Sequence, residues 1–301
     1  MALAELMISS RRRFNLEIVI AHFEHGLRGQ TSIDDANFVK NFSAARGIDF
    51  IGGNGNVKQF AADKKISIET AARTLRYEFL SGACRQFNCD AIATAHHADD
   101  QAETILMRLM RGATSTGLAA MKFRTNTDYG LLIRPLLKFR KIELEKFCRD
   151  KNLTPRLDAT NFDLDATRNK IRLELIPQLE TFNPALIETL CRLAEVSAQE
   201  SDFIAAQAEK IFPAVTCDNS IVRAEFVTLH PALQRAVIKK FLTQVIGSTK
   251  DFCFVHVEGI RKVLLNNLSG VELPNHLRAN LKRGKLYITN NFNCDNRNIH
   301  G

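Results

Sequence analysis

The sequence predicts an α/β protein in which a Rossmann-like parallel sheet is followed by a second, smaller and mainly helical domain. Three observations carry that expectation. Short, nearly continuous apolar runs at 17–22 (EIVIAH), 49–51 and 91–95 (AIATA) alternate with helical patterns of ten or more residues. Such alternation builds βαβ units and a parallel sheet covered on both faces. Polar and charged residues gather just past the ends of two of these runs, where open α/β sheets hold ligands. From about residue 185 amphipathic helical patterns take over, at 185–211, 231–246 and 255–266.

The 301 residues, 45% hydrophobic and 25% charged, suit one large or two ordinary globular domains. No apolar run approaches the roughly 20 residues of a membrane span, so no membrane partner is expected. The opening MALAELMISSRRRFNLE puts its apolar segment before its arginines, the reverse of a secretory signal. Seven scattered cysteines make neither a disulfide framework nor a paired CxxC site. A reducing, cytoplasmic setting follows from these readings. Forty-one Lys and Arg against 33 Asp and Glu give a net charge of +8, which admits a polyanionic partner.

Residues 1–13 read as a helix with an apolar stripe (Leu3, Leu6, Met7, Ile8) and no cap before it. The strand at 17–22 runs into HFEHGLRG, so His22, Glu24, His25 and Arg28 follow its carboxyl end. Residues 32–46 form a helix capped by Ser32 or Asp34 and stopped by Gly47. The strand at 49–51 leads into GGNGN, which lacks the GxxxxGK[ST] pattern and the following helix of a phosphate loop. Residues 67–87 are helical. Arg73, Arg76 and Tyr77 share one face there, suited to anionic oxygens and equally to a solvated surface.

The strand at 91–95 is followed by His96, His97, Asp99, Asp100 and Glu103, then by an apolar-periodic helix ending at Gly112. Helical spacing would put His96 with Asp100, and Asp100 with Glu103, on one face. Ile105, Leu106, Leu109 and Met110 are expected to face the core. Asp99 or Asp100 could cap the helix, yet two His, two Asp and one Glu within eight residues exceed what capping needs. Further on, LLIRPLL is extended and 141–151 helical. DATNFDLDATRN (158–169) is a polar loop, and Arg168, Asn169 and Arg172 introduce IRLELIPQL, which Pro177 interrupts. The segment GVELPNHLRANLKRGKLYIT reads as short strands with a KRG turn. A boundary near 182–184 divides a catalytic domain, 1–182, from a helical one, 183–290, and the Asn-rich tail 291–301 is expected to be disordered.

Several stretches, taken in order, resemble one family. HFEHGLRG (22–29), S-x-x-D-A (32–36), AARTLRYEFL (71–80), ATAHHADDQAETILMRLMRG (93–112), IRPLL (133–137) and DATNFDLDATRNKIRLELIPQL (158–179) are similar to the tRNA(Ile)-lysidine synthetases, members of the PP-loop (N-type ATP pyrophosphatase) class. LHPALQRAVIKKFL (229–242) and LPNHLRANLKRGKLYI resemble that family's smaller domain. The resemblance implies an enzyme that uses ATP and Mg2+ to adenylate O2 of the wobble cytidine of an isoleucine tRNA with a CAU anticodon. The ε-amine of L-lysine then displaces AMP at C2. It further implies that Asp100 and Glu103 handle the lysine amine and the metal, Asp100 holding Mg2+, with His96 beside them. Arg76, Arg168 and Arg73 would contact phosphates or the base, while His25, Arg28, His97, Asp99 and Asn169 would line the ATP and substrate site. Both domains would grip the tRNA, and a homodimer is implied.

Members of that class carry an SGGxDS loop after their first strand, whose backbone N–H groups hold the pyrophosphate. This sequence contains no SGG, and residues 1–13 resemble the helix that follows such a loop. The resemblance therefore predicts a sheet without its first strand and loop, that strand's neighbours unpaired across an apolar gap. It also predicts a chain that is unstable and weakly active or inactive. Two rival readings are a metal-dependent hydrolase built on HHADD and Glu103, with His22 and His25 as further ligands, and a non-catalytic, basic tRNA-binding remnant. A tRNA-thiolating relative would want paired cysteines, and Cys84 and Cys89, spaced CxxxxC, have no second pair.

Overall fold

A computed structural model describes residues 1–26, 30–156, 167–247 and 251–290. Arg28, residues 157–166 of the polar loop and the tail 291–301 lie outside the described residues. Helix α1 (Ala2–Phe14) precedes β1 (Val19–Glu24), which pairs in parallel with β2 (Asp49–Asn54), Val19 standing opposite Asp49. The crossover that a parallel pair requires is α2 (Gln30–Ala44).

Strand β2 continues through the glycines to Asn54 instead of stopping at a loop. A Cβ on Gly53 would lie 2.4 Å from the Phe79 ring, and one on Gly55 would lie 2.8 Å from Phe23. Those glycines make room for two aromatic rings that pack on each other at 5.5 Å. Gly53→Ala is accordingly expected to destabilise the fold by about 1–3 kcal/mol through overpacking. Thermal melting would register the loss, and Phe79→Leu in the same background should restore part of it.

Helix α3 (Val57–Lys64) has Asn56 as its cap, and α4 (Ile68–Gln86) is capped by Ser67, whose Oγ accepts from the Thr70 N–H at 3.1 Å. Strand β3 (Ile92–Ala93) runs parallel to β5 (Gly130–Ile133), and β4 (Arg124–Thr127) flanks β5 antiparallel. The parallel strands thus fall into two sheets, β1-β2 and β3-β5-β4. Among the described residues no strand is hydrogen-bonded between β1 and β3.

Between β3 and β4 lie α5 (Ala98–Met110) and the one-turn α6 (Ser115–Leu118). Ile105 and Leu106 are buried as expected, whereas Leu109 and Met110 are 54% and 58% exposed, because the last turn of α5 runs beyond the surfaces that cover the earlier ones. Helix α7 (Lys141–Asp150) follows. Then α8 (Thr167–Lys170), a π-helical turn at Ile171–Leu175 and α9 (Ile176–Phe182) run end to end. Pro177 widens this helix and does not break it. Proline has no N–H to give, and its ring opposes the carbonyl four residues back. In the widened turn the Ile176 N–H reaches back to the Ile171 carbonyl.

Helix α10 (Leu186–Val215) begins just past the connection at 182–184. Its first turns supply Ile187, Leu190 and Cys191 to the core formed with Ala98, Ala102, Leu106, Ile171 and Ile176. One compact unit therefore comprises Met1–Ala113 and Leu118–Glu195, and the other comprises Thr114–Gly117 and Val196–Gly301. In the second unit β6 (Thr216–Cys217), β7 (Ser220–Val222), β8 (Gly270–Leu273), β9 (Leu277–Lys282) and β10 (Lys285–Asn290) form an antiparallel sheet in the order β6-β7-β10-β9-β8. Helices α11 (Arg223–Val227), α12 (Pro231–Ile246) and α13 (Phe254–Asn266) share its core with Phe226, Phe241, Ile260 and Leu286. Arg283 and Gly284, at φ 49° and 74°, make the tight β9–β10 turn that KRG suggested. No helix of the described residues is long and apolar enough to cross a membrane.

Candidate active site

The site is built where β3 gives way to α5. His97 is the N-cap, and its backbone N–H donates to Asp100 Oδ2 at 3.0 Å. Asp100 therefore closes the start of the helix, as capping would have it. His96 precedes the helix and is not a turn of it, which corrects the expected helical spacing. The imidazole Nδ1 of His96 lies 2.9 Å from Thr94 Oγ1.

Asp99 turns toward α7. It accepts the Lys141 N–H at 2.7 Å and lies 3.5 Å from Arg140 Nε and 3.4 Å from the His97 ring. Burial works to raise its pKa, but the His97 hydrogen bond, the Lys141 amide and Arg140 prevail and hold it at about 2. Arg140 also reaches Glu180 at 3.2 Å and Glu188 at 2.8 Å. Asp99 and His97 thus fasten the first turn of α5 in place.

One turn further on, Glu103 is 1% exposed. Arg172 grips it with both arms, Nε at 2.6 Å from Oε1 and NH2 at 3.1 Å from Oε2. Arg168 stands 3.3 Å from Oε2 and donates to Thr104 Oγ1 at 3.1 Å. The NH2 of Arg172 also lies 3.6 Å from Asp100 Oδ1, so the two carboxylates expected to converge do so through a shared guanidinium. Burial pushes the Glu103 carboxyl up, with Arg172 and Arg168 opposing and Asp100 adding to it. The hydrogen bond to Glu103 raises Arg172 in turn. A buried carboxylate survives only when paired in this way. Arg172 is the residue that sequence reasoning left without a role. Its place four residues after Arg168, on one helical face, was the available signal.

Helix α4 presents Arg73 and Arg76, whose guanidinium carbons lie 4.9 and 5.3 Å from the centre of the Tyr77 ring. Tyr77 is buried and stacks on Tyr129 at 5.5 Å. Arg134, 6% exposed, donates to the Lys122 carbonyl at 2.7 Å and to Thr125 Oγ1 at 3.1 Å. His96 feels this group. Burial first, then Arg134, Arg76 and Arg73, lower its pKa to about 4 against the opposing pull of Asp100. Its imidazole is neutral at pH 7. A His depressed from 6.5 stabilises the fold above that pH and loses the contribution as pH falls toward 4. Wild type is therefore expected to lose more stability than His96→Gln between pH 6.5 and 4, measured by urea denaturation at each pH.

His25 stands at the end of β1, its ring edge-on to Phe23 at 5.2 Å. Asn169 lies beside Arg168 on α8, half-buried. Among the described residues no group of three or more His, Cys, Asp or Glu is placed to hold a metal ion.

Residues 1–179 match the model of the PP-loop domain family, and the chain belongs to that family. It is similar over nearly its whole length to proteins named tRNA(Ile)-lysidine synthase. With that of Clostridium tetani it shares 33% identity, over 96% of this chain and 62% of the relative. With that of Clostridium acetobutylicum it shares 34%, over 92% and 60%, and with that of Geobacillus kaustophilus 34%, over 82% and 54%. The chain spans about three fifths of the length of the first two relatives. Among solved structures, the U34-tRNA thiolase NcsA from Methanococcus maripaludis with its [4Fe-4S] cluster superposes with a TM-score of 0.52. That likeness covers 64% of this chain and 66% of the thiolase at 17% identity, and it concerns the fold alone.

Proposed function

We propose that this chain uses ATP to modify a tRNA in the cytoplasm, and that the reaction is lysidine formation on an isoleucine tRNA with a CAU anticodon. O2 of the wobble cytidine attacks the α-phosphate of ATP and releases diphosphate. The ε-amine of L-lysine then attacks C2 and displaces AMP. The observation that carries the reading is a half-buried carboxylate, Asp100, set against the buried Glu103 and the two arginines that pair with it, Arg172 and Arg168. The names of the relatives support the same reading.

The chemistry gives each group work. A carbonyl oxygen leaves poorly and AMP leaves well, which is why ATP is spent. Negative charge grows around the α-phosphate during transfer, and fixed guanidinium groups stabilise it. Among the described residues no ion pair occupies Arg73 or Arg76, so both are open to phosphate. Glu103, with both oxygens engaged, holds Arg168 and Arg172 on target. Asp100 orients the lysine ammonium and takes its proton, since only the neutral amine attacks. Mg2+ characteristically binds one or two carboxylates together with substrate phosphates. Asp100 Oδ1, 3.6 Å from its nearest guanidinium, fits that role. The ion, when bound, would offset phosphate charge.

The test is transfer of labelled lysine into a CAU isoleucine tRNA transcript in the presence of ATP. Incorporation that requires ATP and the wobble cytidine is expected, at the weak rate that the missing SGGxDS motif predicts. Binding of tRNA with no product and no AMP release would overturn the proposal in favour of a non-catalytic binder. The hydrolase reading has lost its footing, because Glu103 is committed to arginines and no third ligand converges among the described residues.

A further inference from the structure

The far end of α4 carries two thiols at the place where its cap folds back. Phe87 is the C-cap, Asn88 adopts a left-handed φ of 49°, and the Cys89 N–H donates to the Cys84 carbonyl at 2.8 Å. This is the closure of a Schellman motif, in which the side chains of the third-last helical residue and the second residue past the cap come together. Here those two residues are Cys84 and Cys89. The Sγ of Cys84 donates to the carbonyl of Cys89 itself at 2.9 Å, while the Sγ of Cys89 lies 3.9 Å from the Phe87 carbonyl. A backbone hydrogen bond joins the two residues directly, and a disulfide needs Cα atoms about 4.4–6.8 Å apart.

Access is also provided. Both cysteines line a cavity of about 660 Å³ shared with Ser81, Arg85, Asp90 and Tyr129, and both are half-buried. Burial, with Cys89 and Asp90 adding to it, pushes the Cys84 thiol up. The Cys84 S–H is thus held on the Cys89 carbonyl, and the Cys89 sulfur has the looser contact of the two.

We infer that Cys84 and Cys89 are a thiol–disulfide pair that exchanges with a small disulfide such as oxidised glutathione, Cys89 attacking and Cys84 resolving. The Cys89 thiolate attacks one glutathione sulfur, forming a mixed disulfide and releasing one glutathione, which takes up the proton that Cys89 lost. The sulfur of Cys84, on losing its proton, then attacks the Cys89 sulfur and expels the second glutathione, which takes that proton. Two protein thiols are oxidised to one disulfide, and one glutathione disulfide is reduced to two thiols. Such a bond is reversible in a reducing compartment.

The full chain is incubated folded with oxidised glutathione, quenched with an alkylating agent and mapped by peptide mass. The expected product is a Cys84–Cys89 link, two hydrogens lighter than the dithiol and opened by dithiothreitol. Cys84→Ser is expected to trap one glutathione on Cys89, and Cys89→Ser to leave residue 84 unmodified. The exposed Cys217 and Cys253 serve as internal controls that take up glutathione without linking. A glutathione adduct persisting on Cys89 of the unaltered chain would overturn the inference. So would a link that forms only in urea, or two thiols that never react.

Discussion

Arg172→Ala is expected to lower folding stability by about 3–5 kcal/mol, the usual result of removing one partner from a buried ion pair. Glu103, 1% exposed in the unaltered chain, would then have Arg168, itself 41% exposed, to answer its charge. Urea denaturation at pH 7 measures the loss. The double variant Glu103→Leu/Arg172→Met should recover most of it, since apolar residues of similar size remove the desolvation problem together with the pair. The pH dependence separates charge from packing. Burial already holds the Glu103 carboxyl above its ordinary value, and without Arg172 it rises further. A carboxyl raised in the folded state favours folding at low pH and loses that benefit as pH rises through its folded pKa. The deficit of Arg172→Ala should therefore shrink between pH 7 and pH 5. A deficit constant across that range would mean that lost contacts, not an unpaired charge, account for it.

Asp100→Asn is expected to reduce lysine incorporation by about 10²–10³-fold, the scale of losing a positioned proton acceptor. The amide keeps an oxygen for the His97 N–H, which Asp100 now accepts at 3.0 Å, so melting should change little. Free lysine amine becomes more abundant as pH approaches its own pKa near 10.4. The variant should accordingly regain rate with rising pH more steeply than the unaltered enzyme. Equal slopes would remove Asp100 from proton transfer and leave it a capping residue.

Local pattern made much of this architecture legible. The periodicity of 231–246 gave α12 at both ends, and the alternation of apolar runs with helices gave β1, α2, β2 and α4 to within a few residues. Short or polar elements were missed. Strand β4 is the polar RTNT, and helix α3, with Val57, Phe60 and Ala61 on one face, is only eight residues long. The glycines at 52–55 looked like a loop because the aromatic rings they accommodate, Phe23 and Phe79, are distant in sequence.

In the site, carboxylates and arginines were visible as residue types, and Asp100 and Glu103 do meet. Their partners were another matter. Glu103 and Arg172 stand 69 residues apart, and no local spacing announces such a pair. The spacing of His96 and Asp100 fits a helix, while the actual N-cap falls at His97.

The π-helical turn at Ile171–Leu175 also bears on which mutations this segment can absorb. Its wide turn holds one residue more than an ordinary helical path would need. Removing one residue there would let the segment close as an ordinary helix, whereas the same deletion in a regular helix would rotate everything downstream by about 100°. A deletion at 173–175 would leave Ile176 and Leu179 in the core they share with α5, and Arg168 and Arg172 on the side of Glu103. Between Arg168 and Ile176, then, the chain carries a spare residue: a one-codon deletion inside the wide turn is absorbed, and one in the regular turns on either side is not.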